Sequence, residues 1–126
     1  MIVLKASFDD IQPIFQQIAD MTEDHILNDT YGEDEQVMST TQIAKTFQIN
    51  PATAVKGINL LVNEGILYKK RGLGMFVAPG AKEKILTKRR KMFYQEYVVK
   101  LLEEAKKIQL SAEDIINMIK HESEGY

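Results

Sequence analysis

The residue types that most often carry chemistry are scarce in this chain. It has no cysteine, so thiolate metal sites, cysteine nucleophiles and disulfide frameworks are excluded. Its only histidines, His25 and His121, stand near opposite ends, and neither has a second histidine at ligand spacing. His25, next to Asp24 and near Glu23, reads as a surface residue, and His121 as part of a fraying C-terminus. Arg71-Gly72-Leu73-Gly74 lacks the third glycine of a dinucleotide loop, and no Gly-Lys-Ser/Thr follows, so it does not cradle phosphate. Catalysis, a cofactor and a metal are therefore not expected. What remains is charge.

Residues 69–91 carry nine basic side chains (Lys69, Lys70, Arg71, Lys82, Lys84, Lys88, Arg89, Arg90, Lys91) against the single acidic Glu83, net +8. Residues 1–68 are net −7 and residues 92–126 net −3, so the formal charge of −2 conceals the band. A concentrated positive band on an otherwise acidic chain suits a local polyanion contact rather than indiscriminate coating of DNA. A solvated lysine-rich helix face explains a charge run equally well, so the surrounding elements must decide. The run Lys88-Arg89-Arg90-Lys91 wraps all the way round a helix and cannot be one-sided; it reads as a solvated face, with a phosphate contact as the alternative.

The chain has 126 residues, 44% hydrophobic and 27% charged, enough for one small domain plus an appendage. Its longest apolar runs, Met1 to Leu4 and Met75 to Ala78, are four residues, so neither a membrane span nor a signal peptide is expected and the reading is cytoplasmic. Ile14, Phe15, Ile18, Met21 and Ile26 recur at helical spacing behind Pro13, predicting a helix over about 13–28. The acidic stretch 28–35, with Gly32, reads as a loop. Ser39 and Gln42 form the Ser-x-x-Gln capping box of a short helix with Ile43, Ala44 and Phe47 inward. Asn50-Pro51, an N-cap followed by proline at the first helical position, then opens a third helix that Gly65 terminates. Ala54, Ile58, Leu61 and Val62 face inward on it, and Ala52, Lys56, Asn59 and Asn63 form a small, polar outward strip. Ile66-Leu67-Tyr68 and Met75-Phe76-Val77 read as strands joined by the basic turn Lys69 to Gly74.

Two short helices joined by a tight turn, with a basic hairpin directly after them, make a winged helix-turn-helix. The expected fold is mainly α with a small β-hairpin: a winged helix-turn-helix over 1–78, then, past Pro79-Gly80, a two-helix dimerisation region over 79–126. The long helix, about 81–108, carries a heptad-like stripe of Tyr94, Val98, Leu101, Ala105 and Ile108. Met92, Phe93, Tyr97 and Leu102 widen that surface, and the last helix, capped by Ser111 with Asp114, adds Ile115, Ile116 and Ile119. Two such helices exceed what a small domain can cover, so a two-fold homodimer is the simplest solution. The alternative is that both helices fold back as extra core.

Taken as an ordered set, these landmarks resemble the GntR family of bacterial transcription regulators. The resemblance covers about residues 11–78 and rests on Pro13-Ile14-Phe15-Gln16-Gln17-Ile18-Ala19, Ser39-Thr40-Thr41-Gln42-Ile43-Ala44, Ile49-Asn50-Pro51-Ala52-Thr53, Leu61-Val62-Asn63-Glu64-Gly65-Ile66 and Arg71-Gly72-Leu73-Gly74-Met75-Phe76-Val77. The short tail after Ala78, too small for a large effector-binding domain, and the Ile-Asn-Pro turn are similar to the YtrA-like branch. That resemblance implies a repressor, often of operons that include ATP-binding-cassette transporters. Two positions depart from the wider family: Thr41 stands where an arginine commonly contacts DNA, and Asn50-Pro51-Ala52-Thr53 replaces Ser-Arg-Thr-Thr.

The expected partners are a double-stranded DNA operator of pseudo-palindromic sequence and a second copy of the chain, with room for a small-molecule effector that no residue pattern names. In a helix-turn-helix the start of the second helix enters the major groove, here Asn50, Ala52, Thr53 and Lys56. Ser39, Thr40 and Thr41 open the preceding helix, whose free N–H groups and dipole favour a phosphate. Arg71 at the wing tip, with Gly72 allowing close approach, is the foremost single contact; Lys69 and Lys70 alternate across the strand, and Lys69 is the one assigned to DNA. Dimerisation is assigned to Tyr94, Tyr97, Val98, Leu101, Leu102, Ala105, Ile108, Ile115 and Ile119. A winged-helix protein–protein adaptor is the alternative, and the basic wing and polar strip argue against it.

Overall fold

Side-chain capping decides where three of the helices start, and the computed structural model, which describes residues 8–9 and 11–125, shows those caps closed. Ser39 precedes α2 (Thr40–Phe47); its hydroxyl accepts from the Gln42 amide at 3.1 Å, and the Gln42 side chain accepts from the Ser39 amide at 3.1 Å. The Asn50 side chain accepts from Ala52 N at 2.8 Å and opens α3 (Pro51–Asn63), with Pro51 where a missing N–H costs nothing. Between them Gln48 ends α2 in the left-handed conformation, φ 53°. α1 (Ile14–Leu27) follows Pro13, whose carbonyl accepts from Gln16 and Gln17. The apolar run Met1 to Leu4, and the rest of residues 1–7 assigned to the first domain, lie outside the described residues.

These three helices pack around fully buried Ile18 from α1, Ile43 from α2, and Ala54, Ile58 and Leu61 from α3. At Gly57, on the same inward face, a Cβ would lie 2.7 Å from the Phe15 carbonyl oxygen and 3.0 Å from Ile18. Only glycine lets α3 come so close to the backbone of α1.

The hairpin follows Gly65. β1 (Leu67–Lys70) pairs antiparallel with β2 (Gly74–Val77), in a register that sets Leu67 against Val77 and Lys70 against Gly74. Contrary to a plain loop, the end of the acidic stretch lines the other edge of β2. Asp34 N donates to Val77 O at 2.8 Å, Val77 N to Glu35 O at 3.0 Å, and Val37 N to Met75 O at 3.0 Å. Tyr68 closes this small sheet by donating its hydroxyl to Asp34 at 2.7 Å. The core is completed from beyond the hairpin by Ala81 and Ile85, both fully buried, at the start of α4 (Ala81–Phe93). The chain accordingly divides into two compact units at Leu86/Thr87, six residues past the Pro79-Gly80 punctuation. Among the described residues no helix is long and apolar enough to cross a membrane.

In the second unit α4 runs without a break through a π turn (Tyr94–Val98) into α5 (Val99–Lys107), matching the long helix expected from the sequence. The Val99 amide donates to the Tyr94 carbonyl, an i→i+5 bond that takes up one extra residue and offsets the steady heptad spacing there. α6 (Ala112–Ser123) is capped by Ser111, whose amide and hydroxyl hold the Asp114 carboxyl below its ordinary range. Ala105 and Ile115, one from each of the two last helices, are buried within the chain.

Two consequences are measurable. Gly57→Ala should destabilise the protein by about 1–3 kcal/mol in urea denaturation, overpacking outweighing alanine's helix propensity of about 1 kcal/mol; an unchanged midpoint would show that the crossing has slack. The hydrogen bond to Asp34 raises the Tyr68 phenol above its usual pKa, and burial does the same for Tyr31, so both should ionise above the ordinary phenol range in an ultraviolet titration. Because the folded value of Tyr68 is raised, the stability from that bond persists below about pH 10 and fades as pH climbs through it. Tyr68→Phe should remove one late-ionising group and that pH dependence together.

Candidate nucleic-acid interface

The outward face of α3 is defined by what the core takes from it. With Ala54, Gly57, Ile58 and Leu61 buried, Ala52, Lys56, Asn59 and Asn63 are exposed, as their helical spacing requires. Thr53 is half-buried on the flank of this strip, so the structure does not group it with Ala52 and Lys56. Val55, on the other flank, is 40% exposed and does not figure among the residues that the sequence pattern points to, because it stands at the edge of the buried face where the helical period decides little. The Lys56 ammonium lies 4.0 Å from the centroid of the Phe15 ring, a cation–π contact that holds it to the α1 side of the strip.

At the start of α2, Ser39 and Thr40 are half-buried and Thr41 is exposed. The Ser39 hydroxyl and the Gln42 side chain are engaged with each other and with backbone amides, leaving Thr41 as the outward polar group of that turn. Asn50 is exposed, with its oxygen committed to the cap.

The wing tip is built tightly. Leu73 N donates to Lys70 O at 2.9 Å, and Gln36, 37 residues earlier in the chain, donates its side-chain amide to Leu73 O at 2.8 Å. Gly72 (φ 76°) and Gly74 (φ 126°) take backbone conformations that glycine alone adopts readily. Arg71 and Gly72 are exposed on this pinned turn, and Arg71 makes no hydrogen bond or ion pair among the described residues. Lys70 lies 4.5 Å over the Phe76 ring, which itself stacks on Tyr68. Lys69, on the opposite face of the strand, is exposed, in line with the alternation read from the sequence.

Part of the basic band is structural. Lys82 pairs with Asp29 at 3.0 Å, and Lys84 donates to Gly65 O at 3.2 Å. The run 88–91 belongs to the second unit. In that unit Tyr94, Tyr97, Leu101, Leu102, Ile108 and Ile119 are all exposed and Val98 is half-buried, whereas Ala105 and Ile115 are taken up inside the chain. His25, read as a surface residue, is instead half-buried with its ring centroid 6.2 Å from that of Tyr31, because the chain after α1 folds back over it. Among the described residues no group of three or more His, Asp or Glu could hold a metal ion.

No family model matches the chain. A solved GntR-family transcriptional regulator from Bacteroides thetaiotaomicron superposes with a TM-score of 0.76 and 31% identity, covering 88% of this chain and 96% of that one. BusR of S. agalactiae, solved in complex with its busA-promotor DNA, is 33% identical with a TM-score of 0.54, over 87% of this chain and 51% of that one. YtrA from Sulfolobus acidocaldarius, a GntR-family transcription factor, shares the fold at 22% identity and a TM-score of 0.57, over 97% of each chain. By sequence, the repressor NagR of Bacillus subtilis (strain 168) is 34% identical over 74 residues, 59% of this chain, and the match spans 30% of that relative's length. The likeness to the Bacteroides protein runs through the winged unit and on into the helices after it, and with it the chain belongs to the GntR family of transcriptional regulators.

Proposed function

We propose that this chain is a sequence-specific DNA-binding regulator that acts as a homodimer on a pseudo-palindromic operator. The observation that carries the reading is the pairing of a polar, outward α3 strip with a pinned wing tip that leaves Arg71 exposed. In such a site the major groove receives the start of α3, with Ala52 foremost, and Lys56 from its seat on Phe15 meets a phosphate. Asn50 and Thr53 flank that contact. The free N–H groups at the start of α2, with Thr41 beside them and Ser39 and Thr40 shaping the turn, receive a second phosphate. Arg71, with Lys69 and the Gly72 backbone, follows the minor groove or its phosphates. The family and the relative solved on promoter DNA support this reading.

The exposed apolar groups of the second unit, Tyr94, Tyr97, Leu101, Leu102, Ile108 and Ile119, supply the surface for a second copy. A two-fold pair would present two α3 helices to two half-sites, as a palindrome demands. Repression by excluding polymerase is the proposed outcome, supported by the repressor among the relatives, and an ATP-binding-cassette transporter operon is the target that the YtrA-like architecture suggests. A small-molecule effector would act through the helical dimer.

Genomic selection and footprinting with the purified chain at physiological salt should recover an inverted repeat. Arg71→Ala should cost about 1–3 kcal/mol of binding per half-site and lower the slope of log K against log salt by about 0.9 for each phosphate that the variant no longer neutralises. Weak binding without sequence preference, equal in the variant, would return the adaptor reading. Leu101→Glu should convert the dimer to a monomer in sedimentation and, by removing bivalency, weaken operator binding by about a hundredfold or more; a variant that stays dimeric would place the interface elsewhere.

A further inference from the structure

On the footing of the DNA-binding reading, we infer that the α3 strip selects A·T base pairs, through methyl contacts from Ala52 and Val55 and an amide pair from Asn59. These positions follow one another at i, i+3 and i+7 along one side of α3, and all three are exposed. An exposed valine is ordinary by itself; its place between Ala52 and Asn59 gives it meaning. In the major groove only thymine offers a methyl group, and only adenine offers the adjacent acceptor and donor that a side-chain amide matches twice over. The Asn59 amide has no intrachain hydrogen bond among the described residues, so both its ends are available. The competing specificity, guanine, calls for arginine or a reaching lysine. The strip has no arginine, and its one lysine, Lys56, is held over the Phe15 ring. Asn50 cannot substitute, since its oxygen is spent on Ala52 N.

The test uses the full chain and double-stranded DNA selected from a random pool. The base pairs under α3 should emerge as A·T. Replacing the contacted thymines by deoxyuridine, one at a time, should weaken wild-type binding by about fourfold each, the worth of one buried methyl group. Val55→Ala should abolish that penalty at one thymine and keep it at the other. Asn59→Ala should relax one A·T position by about tenfold with no change in salt slope, which separates a base contact from a phosphate contact. Both positions are exposed, so neither variant puts folding at risk. Selected sites with G·C at these pairs, or a deoxyuridine penalty equal in wild type and Val55→Ala, would overturn this inference while leaving the regulator intact. A pool from which no sequence is selected would overturn both.

Discussion

The crossing of α1 and α3 at Gly57 is the constraint on which the rest of the winged unit depends. A backbone carbonyl of α1 sits where any side chain at that position would have to be, so the two helices meet along their main chains. That approach buries Ile18, Ile58 and Leu61 completely and fixes the rotation of α3 about its axis. Once the rotation is fixed, the opposite face is fixed too, and Ala52, Lys56 and Asn59 must point outward. The same closeness brings the Phe15 ring within reach of the Lys56 ammonium. A packing decision made at one small residue thus sets both the orientation of the strip and the place of its only cation.

Charge in this molecule works inward as well as outward. The acidic stretch after α1 is a set of short ties: Asp29 to Lys82, Glu33 to the Gly80 amide at 2.7 Å, and Asp34 to the Tyr68 hydroxyl. Each is exposed, and surface ion pairs contribute little individually. Together with the backbone bonds to β2 they attach the stretch to both the wing and the start of α4. The opposition between an acidic first part and a basic middle is therefore in part a complementarity within the unit, while Arg71 and Lys69 at the wing take no part in it.

Whatever the chain decides locally is legible in its sequence. Ser39 with Gln42, Asn50 with Pro51, and Ser111 with Asp114 act over two or three residues, so helix starts can be read to within a residue or so. The buried face of α3 follows from its period, with Thr53 and Val55 on the flanks the least determined. The pairing of residues 34–37 along the edge of β2 is not legible, because its partner lies some forty residues on and the segment is too short to show a period. Nor are the Gln36 tie and the seat of Lys56, which need packing between distant elements, or the partial cover of His25 by the turn after α1. The π turn at Tyr94–Val98 leaves no compositional mark at all.

The burial of Ala81 and Ile85 bears on how such a chain could have been assembled by recombination. The first turns after Pro79-Gly80 are covalently part of the downstream helix yet energetically part of the upstream fold. A splice at the Pro-Gly punctuation would strip two plugs from the winged core, whereas one at Leu86/Thr87 would leave that core whole. An exchange of the downstream half that carries along the first six residues of α4 keeps the winged core packed. The division between the two units therefore falls inside a continuous helix rather than at the Pro-Gly punctuation.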